Sequence, residues 1–241
     1  MSALLELKDV CVRFGGLAAV TEATMSLAER EVHALIGPNG AGKSTIVNCI
    51  SGFQRSSSGE ILLDGEILPH LDASAVARRG IARSFQTPQL FSRLSVVDNV
   101  RVAHRRRRGI DLDVSDLLEL VGLTDVAHRQ ADSLAYGQQR LLEVARALAL
   151  SPRLLLLDEP AAGLAFEDTE RLSRLLHLIV TQFGIAVMIV EHNVPLVRRV
   201  AKRITVMHHG VVIATGAPDD VLSDPAVVAA YLGGGNPPTE H

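Results

Sequence analysis

At 241 residues with 47% hydrophobic side chains, the chain can bury a sizeable core in one large domain, with or without a subdomain, which excludes a disordered tail. A formal net charge of −3 gives no global attraction to nucleic acid. Cys11 and Cys49 stand far apart and outside any ligand spacing, so free thiols in a reducing compartment are expected rather than a disulfide or a zinc site.

Charges interrupt the apolar run at the start (Leu4, Leu5, Glu6, Leu7, Lys8), so neither a signal peptide nor an anchor is expected. No apolar run approaches the roughly 18 residues that span a bilayer. Residues 4–14 and 24–29 alternate loosely and predict antiparallel strands joined through a turn at Gly15 and Gly16. Phe14 closes the first strand, where an aromatic suits either stacking on a purine base or a place in the core.

Val32 to Thr45 is the most informative stretch. A short apolar strand opens into Gly37, Pro38, Asn39, Gly40, Ala41, Gly42, Lys43 and Ser44, the pattern of a phosphate-binding loop. Its glycines let several backbone N–H groups turn inward, and the helix starting near Lys43 aims its positive dipole end at the same point. Lys43 can reach the β- and γ-phosphates of a nucleotide, and the Ser44 hydroxyl can ligate the Mg²⁺ that bridges them.

The helix continues to Gly52; residues 60–65 predict a strand ending in an Asp64-Gly65 hairpin turn. A helix over 73–79 and a strand over 80–85 then deliver Gln86 to a loop, where its amide either contacts a metal or water or is simply solvated. From Leu90 to Ser133 the spacing is helical, with Ser95 to Asp98 as a capping box and Ser115 ahead of residues 116–121, an apparent helical insertion. Inside it Arg101 to Arg108 reads either as a patch drawn to anionic headgroups or as a solvated helix end.

Leu134 to Arg140 opens a strongly apolar helix whose exposed glycine and amides form a second anion site. The run Leu154 to Leu157, a strand buried on both faces, ends in Asp158 and Glu159. Packing does not explain two carboxylates there; the carboxyl ends of parallel strands form the ligand crevice, so Asp158 is expected to face Mg²⁺ and Glu159 a water. Residues 186–190 repeat the arrangement and deliver Glu191 and His192, the histidine being either structural or a γ-phosphate contact. Residues 203–215 predict a hairpin whose His208 and His209 are turn surface rather than metal ligands. Two short helices split by Pro225 follow, and a flexible tail ends the chain.

From about Leu4 to Gly233 this set resembles the ATPase subunit of ABC transporters. The resemblance implies an α/β fold: a P-loop core with a mainly parallel sheet, an N-terminal antiparallel β-subdomain and an α-helical subdomain. One domain would run over 4–235, with the helical part inserted at about 87–135 and a tail at 236–241. It implies ATP and Mg²⁺ as ligands, Phe14 as the adenine-stacking aromatic, Gly37 to Thr45 as the phosphate loop, and Leu134, Ala135, Tyr136, Gly137 and Gln138 as the signature motif facing a second subunit's ATP. Lys43, Gln86, Glu159 and His192 would be catalytic, and Ser44, Gln86 and Asp158 would hold the metal. Among subgroups it is most similar to importers of branched-chain amino acids, through Arg13 to Gly16, Arg83 to Thr87, Leu134 to Gly137, Pro160 to Leu164 and Ala230 to Gly233. Expected partners are transmembrane permease subunits, a second ABC ATPase as homodimer or heterodimer, and indirectly a solute-binding protein, at the cytoplasmic face of the inner membrane and without nucleic acid. Three positions, in two motifs, depart from the family. Ala135 and Tyr136 replace the serine and first glycine of Leu-Ser-Gly-Gly-Gln, and Ala165 stands where an aspartate often couples the two sites. A rival class is a soluble ABC ATPase of DNA repair or translation, against which stand one motif set and no sustained heptads; lipid extraction by a member of the same family is the other alternative.

Overall fold

The computed structural model describes residues 3–70, 72–104 and 112–232. Arg105 to Arg108 and the tail lie outside the described residues.

Two sheets organise the chain. The first is antiparallel, in the order β2-β1-β4-β5, from β1 (Ala3–Phe14), β2 (Leu17–Ala28), β4 (Ser58–Leu63) and β5 (Glu66–Ile67). The hairpin is longer than its alternation suggests, because β2 begins at Leu17 rather than residue 24. Asp9 and Glu22 adopt left-handed φ of 49° and 48° where the ladder shifts register, and such bulges break the period of two by which strands are read. At Asp64 and Gly65, φ of 54° and 75° give the expected tight turn.

The second sheet has the order β10-β9-β3-β8-β7-β6, with β3 (Val32–Ile36), β6 (Ile81–Arg83), β7 (Leu154–Asp158), β8 (Ala186–Val190), β9 (Arg203–His208) and β10 (Val211–Gly216). All its pairings are parallel except β9 with β10, the hairpin expected around His208 and His209. Every residue of β3, β7 and β8 is buried, as unbroken apolar runs between two covered faces must be. Alternate side chains serve different cores. Leu155, Leu157, Val187 and Ile189 pack with the helical side, whereas Leu154, Leu156, Met188 and Val190 pack with the first sheet and α1 (Lys43–Ile50). Truncating one of these leucines to alanine costs about 2–5 kcal/mol. Leu35 and Asp158 both pair with Val190, so the carboxyl ends of β3, β8 and β7 lie side by side.

Helix α2 (Ala73–Arg78) precedes β6, a strand of three residues rather than six. Between β6 and α5 (Tyr136–Leu148) come α3 (Val96–Ala103), α4 (Val114–Leu120) and two single 3₁₀ turns. Ser95 caps α3 by accepting from the Asp98 N–H, but its hydroxyl donates to the Asp98 carboxylate, so the expected box closes between side chains. The cap of α4 is Asp113, not Ser115. Asp113 and Asp116 each accept from the other's backbone N–H, and the Ser115 hydroxyl donates to Asp113. Asp at N-cap outcompetes the serine because its carboxylate also opposes the helix dipole. Helices α6 (Phe166–Thr181), α7 (Val194–Val200), α8 (Pro218–Leu222) and α9 (Pro225–Leu232) complete the chain. Among the described residues no helix is long and apolar enough to cross a membrane.

Candidate functional site

The loop after β3 is shaped to leave its N–H groups open. Gly42 takes the N-cap position of α1 at φ 101°, and no side chain caps the helix, so the first-turn donors are left for an anion. Two glycines are required by crowding as well as by φ. A side chain at Gly37 would run into the Met207 carbonyl, and a Cβ at Gly42 would lie 2.7 Å from the Ala19 oxygen. Lys43 folds back on the loop, its Nζ donating to the Gly37 oxygen at 2.7 Å and the Pro38 oxygen at 2.9 Å. Burial lowers its ammonium from the usual lysine value, against the pull of Glu159 and Asp158. These carbonyl bonds are ones that phosphate oxygens can replace.

A cleft of about 500 Å³ stands over the loop. Leu17, Ala18 and Ala19 form one wall, Asn39 to Thr45 the floor, and Gln86 and Glu159 the facing rim. His209 and Gly210 close it, because Gly210 donates to the Ala41 carbonyl and accepts from the Thr21 N–H. The histidine pair is turn surface, as expected, but His209 is also a wall of the nucleotide cleft. Phe14 is 50% exposed and pairs with Leu17 at the hairpin end, so the core alternative fails. Phe14 does not itself line the cleft.

The acidic pair separates by role. Asp158, buried, is 3.1 Å from the Arg83 guanidinium, which also donates to the Asn48 side chain at 2.6 Å and Ser51 at 3.0 Å. Burial pushes the Asp158 carboxyl up, and Arg83 opposes this. Glu159 sits in the left-handed region at φ 48°, a strained place for a residue with a side chain, and it aims at the cleft. Its Oε2 accepts from Gln86 Nε2 at 3.0 Å, and its Oε1 is 3.8 Å from His192 Nδ1. Three residues taken from three separate strand ends thus meet at one carboxylate. Glu191 lies beneath them at 1% exposure, accepting from the N–H groups of Ala161 at 2.9 Å, His192 at 3.2 Å and Asn193 at 3.3 Å. It fixes the loops after β7 and β8 to each other, and burial pushes its carboxyl up.

The oxygen donors around the loop suit Mg²⁺. Ser44 and Gln86 offer hard oxygens from the cleft lining, and Asp158 offers one from the end of β7, although it does not itself line the cleft. One oxygen of Asp158 is engaged by Arg83, which leaves the other available.

The N-terminus of α5 stands apart from this cleft, since none of Leu134 to Gln138 lines it. Ala135 is the N-cap and has no acceptor, so only half a capping box forms, with Gln138 Oε1 accepting from the Ala135 N–H at 3.2 Å. Gly137 is buried rather than exposed: any side chain there would strike the Asp168 carboxylate. Tyr136 packs over Gly163, and its hydroxyl accepts from Arg140 Nε at 3.1 Å. Arg140, 4% exposed, donates to the Phe85 carbonyl at 2.8 Å and to the Gln86 carbonyl. Glu143, 3.5 Å from Arg140, accepts from the Phe85 N–H at 2.9 Å. Helix α5 therefore grips the backbone that carries Gln86. Sequence reasoning assigned no role to Arg83, Arg140, Glu143 or Glu191; charges inside apolar runs (Arg140, Glu143) were the signal available.

The family described as ABC transporter matches residues 20–162, and one described as branched-chain amino acid ATP-binding cassette transporter matches residues 211–236. The high-affinity branched-chain amino acid transport ATP-binding protein BraF of Pseudomonas aeruginosa is 38% identical over 249 residues, covering 95% of this chain and 98% of that protein. LivG of Salmonella typhimurium, of the same description, is 39% identical with the same coverage. Among solved structures, the ADP conformation of MJ1267, an ATP-binding cassette of an ABC transporter, superimposes with a TM-score of 0.87 at 29% identity over 97% of this chain and all of that one. The dimeric post-hydrolysis state of the cassette MJ0796 bound to ADP and phosphate gives 0.78 at 26% identity, over 89% of this chain and 98% of that one. With a phosphate loop, a glutamate at its rim and relatives matched along nearly their whole length, the chain belongs to the ATP-binding subunits of ABC transporters, and it is an ATPase.

Proposed function

We propose that this subunit energises the import of branched-chain amino acids or similar small solutes, working at the cytoplasmic face of the inner membrane with permease subunits and a second ATPase subunit. The observation that carries the catalytic part is the meeting of Gln86 and His192 on Glu159 above the phosphate loop. The solute class is supported by the relatives' names and by the match over residues 211–236. A single cassette over 4–235, with a helical part at about 87–135, fits this role.

In this reading Phe14 and Leu17 receive the base, and the loop from Gly37 to Thr45 receives the phosphates. Lys43 exchanges its carbonyl partners for the β- and γ-phosphates. Ser44, Gln86 and Asp158 would hold Mg²⁺, which would supply charge neutralisation for the phosphates. Glu159 orients or deprotonates the attacking water, His192 steadies the γ-phosphate, and Gln86 holds the glutamate until the site is complete. Because Leu134 to Gln138 stand away from their own chain's cleft, they serve a partner's ATP. Arg140 then carries the state of that second site to Gln86 in this one.

Uptake of radiolabelled leucine by cells of the source organism tests the solute class. Deleting this chain should abolish ATP-dependent uptake, with rescue by the wild type and not by Lys43→Ala. Undiminished uptake of leucine, isoleucine and valine in the deletion would overturn the assignment.

A further inference from the structure

A second cavity, of about 610 Å³, opens at the end of the large sheet away from the phosphate loop and shares no residue with the nucleotide cleft. Its walls come from the turn before β3, the second half of α6, and the end of α7 with Lys202. These two helices also lead away from the catalytic loops, α6 after Glu159 and α7 directly after His192. Whatever sits here bridges the far ends of both.

The lining is cationic over an apolar floor. Four cations face the space, Arg30, Arg174, Arg199 and Lys202, against the single carboxylate of Glu31. Arg199 is already engaged by Glu170. Among the described residues, Arg30, Arg174 and Lys202 form no ion pair within 4.0 Å of a carboxylate, and of the three only Lys202 acts on Glu31 across a longer distance. Glu31 cannot neutralise all three: it is 6% exposed, its Oε1 accepts from the Ala28 N–H at 2.8 Å, and the same oxygen lies 3.8 Å from His33 Nδ1. Val32, Leu178, Val180 and Val200 supply the apolar surface.

Arg30 is also placed with some care. Its φ is 55°, a left-handed conformation that residues with side chains rarely adopt. Its guanidinium lies against Gly184, where a Cβ would be 3.2 Å from Arg30 Nε, so the glycine lets the side chain rest on bare backbone. Guanidinium groups pair with planar oxyanions through two parallel hydrogen bonds. Ligand sites generally combine an apolar wall with a few converging charges.

We propose that this cavity is a second ligand site, which takes a small organic anion, a phosphate monoester or carboxylate on a compact aliphatic body, between Arg30, Arg174 and Lys202. The site is independent of the transported solute. Both oxyanions share the chemistry, and the test separates them.

The test is calorimetric titration of the full chain, with ADP present to fill the phosphate loop, using hexyl phosphate and hexanoate as probes. At least one should bind saturably, one per chain, and its affinity should fall with salt. Hexanol and inorganic phosphate, each carrying half the recognised chemistry, should bind at least tenfold more weakly. The double variant Arg30→Gln, Arg174→Gln should weaken the better probe at least tenfold, the change for losing one charge-assisted bond. Both arginines are exposed, so the variant is expected to keep its melting temperature. Lys202→Gln provides an independent reading and should weaken binding as well. Absence of saturable binding by either probe, equal binding of inorganic phosphate, or undiminished binding in both folded variants would overturn the proposal.

Discussion

Replacing Arg140 by methionine isolates the grip of the signature helix on the loop at Gln86. The variant keeps the length of the buried stem and removes the charge. Lost are the bonds to the Phe85 and Gln86 carbonyls, the 3.5 Å contact to the Glu159 carbonyl and the bond to the Tyr136 hydroxyl, and buried Glu143 loses the nearer of its two cations, keeping only the more distant Arg146. Hydrogen bonds from a charged group contribute about 1.5–3 kcal/mol each, yet they are not additive, and breaking one side of a buried pair typically costs about 3–5 kcal/mol. The Tyr136 bond adds little, because that side chain is half exposed and water can replace it. A loss of about 3–5 kcal/mol corresponds to a fall of roughly 6–20 °C in melting temperature for a chain of this size. Urea denaturation measures the free energy directly. The paired variant Arg140→Met, Glu143→Leu removes the carboxylate that has lost its nearer cation and should recover part of the loss, giving a coupling of at least about 1 kcal/mol in the double-mutant cycle. A cost below about 1 kcal/mol for Arg140→Met, or strict additivity with Glu143→Leu, would show that Arg140 does not hold the loop at Gln86.

Phe14→Ala should weaken ATP binding by about 1–3 kcal/mol and leave the melting temperature nearly unchanged, because the ring is exposed; a large stability loss with normal binding by the folded fraction would count against stacking. Burial raises the Glu191 carboxyl, so the stability tied to its protonation is present at acid pH and is lost as pH rises through its folded-state value. Relative to Glu191→Gln, the wild type should therefore gain stability in denaturant titrations as pH falls from neutral towards the ordinary glutamate range, and a constant difference would contradict the assignment. For the composite site, Ala135→Asp places a carboxylate where a partner's γ-phosphate would dock, while an aspartate N-cap favours the helix. Mixed in equal amounts with Glu159→Gln, it should restore about a quarter of wild-type sites if the chain pairs with itself and the sites act independently; activity no higher than the mean of the two parents would exclude an independent homodimeric site.

Much of the site was legible because its signals are local. Gly37 to Ser44 is a contiguous pattern, and Asp158, Glu159 and His192 each follow a run whose burial makes charges at its end conspicuous. What escaped depends on distance through space. Arg140 and Glu143 sit within an apolar helix, and their partners lie more than fifty residues away at Phe85 and Gln86. His209 reaches the phosphate loop only because β9 pairs with β3. Gly137 is buried rather than exposed because α6 brings Asp168 against it, which no spacing within α5 could announce. The early start of β2 was hidden for a local reason, the bulge at Glu22.

In the proposed function Glu159, held by Gln86 and facing the phosphate loop, is the base of the ATP-hydrolysing site. Single-turnover phosphate release by Glu159→Gln, with ATP affinity measured on the same preparation, tests this role. Binding should be unchanged and the rate lower by about 10²–10⁴, the range for losing a positioned general base. A rate within a few-fold of wild type, with binding intact, would contradict it.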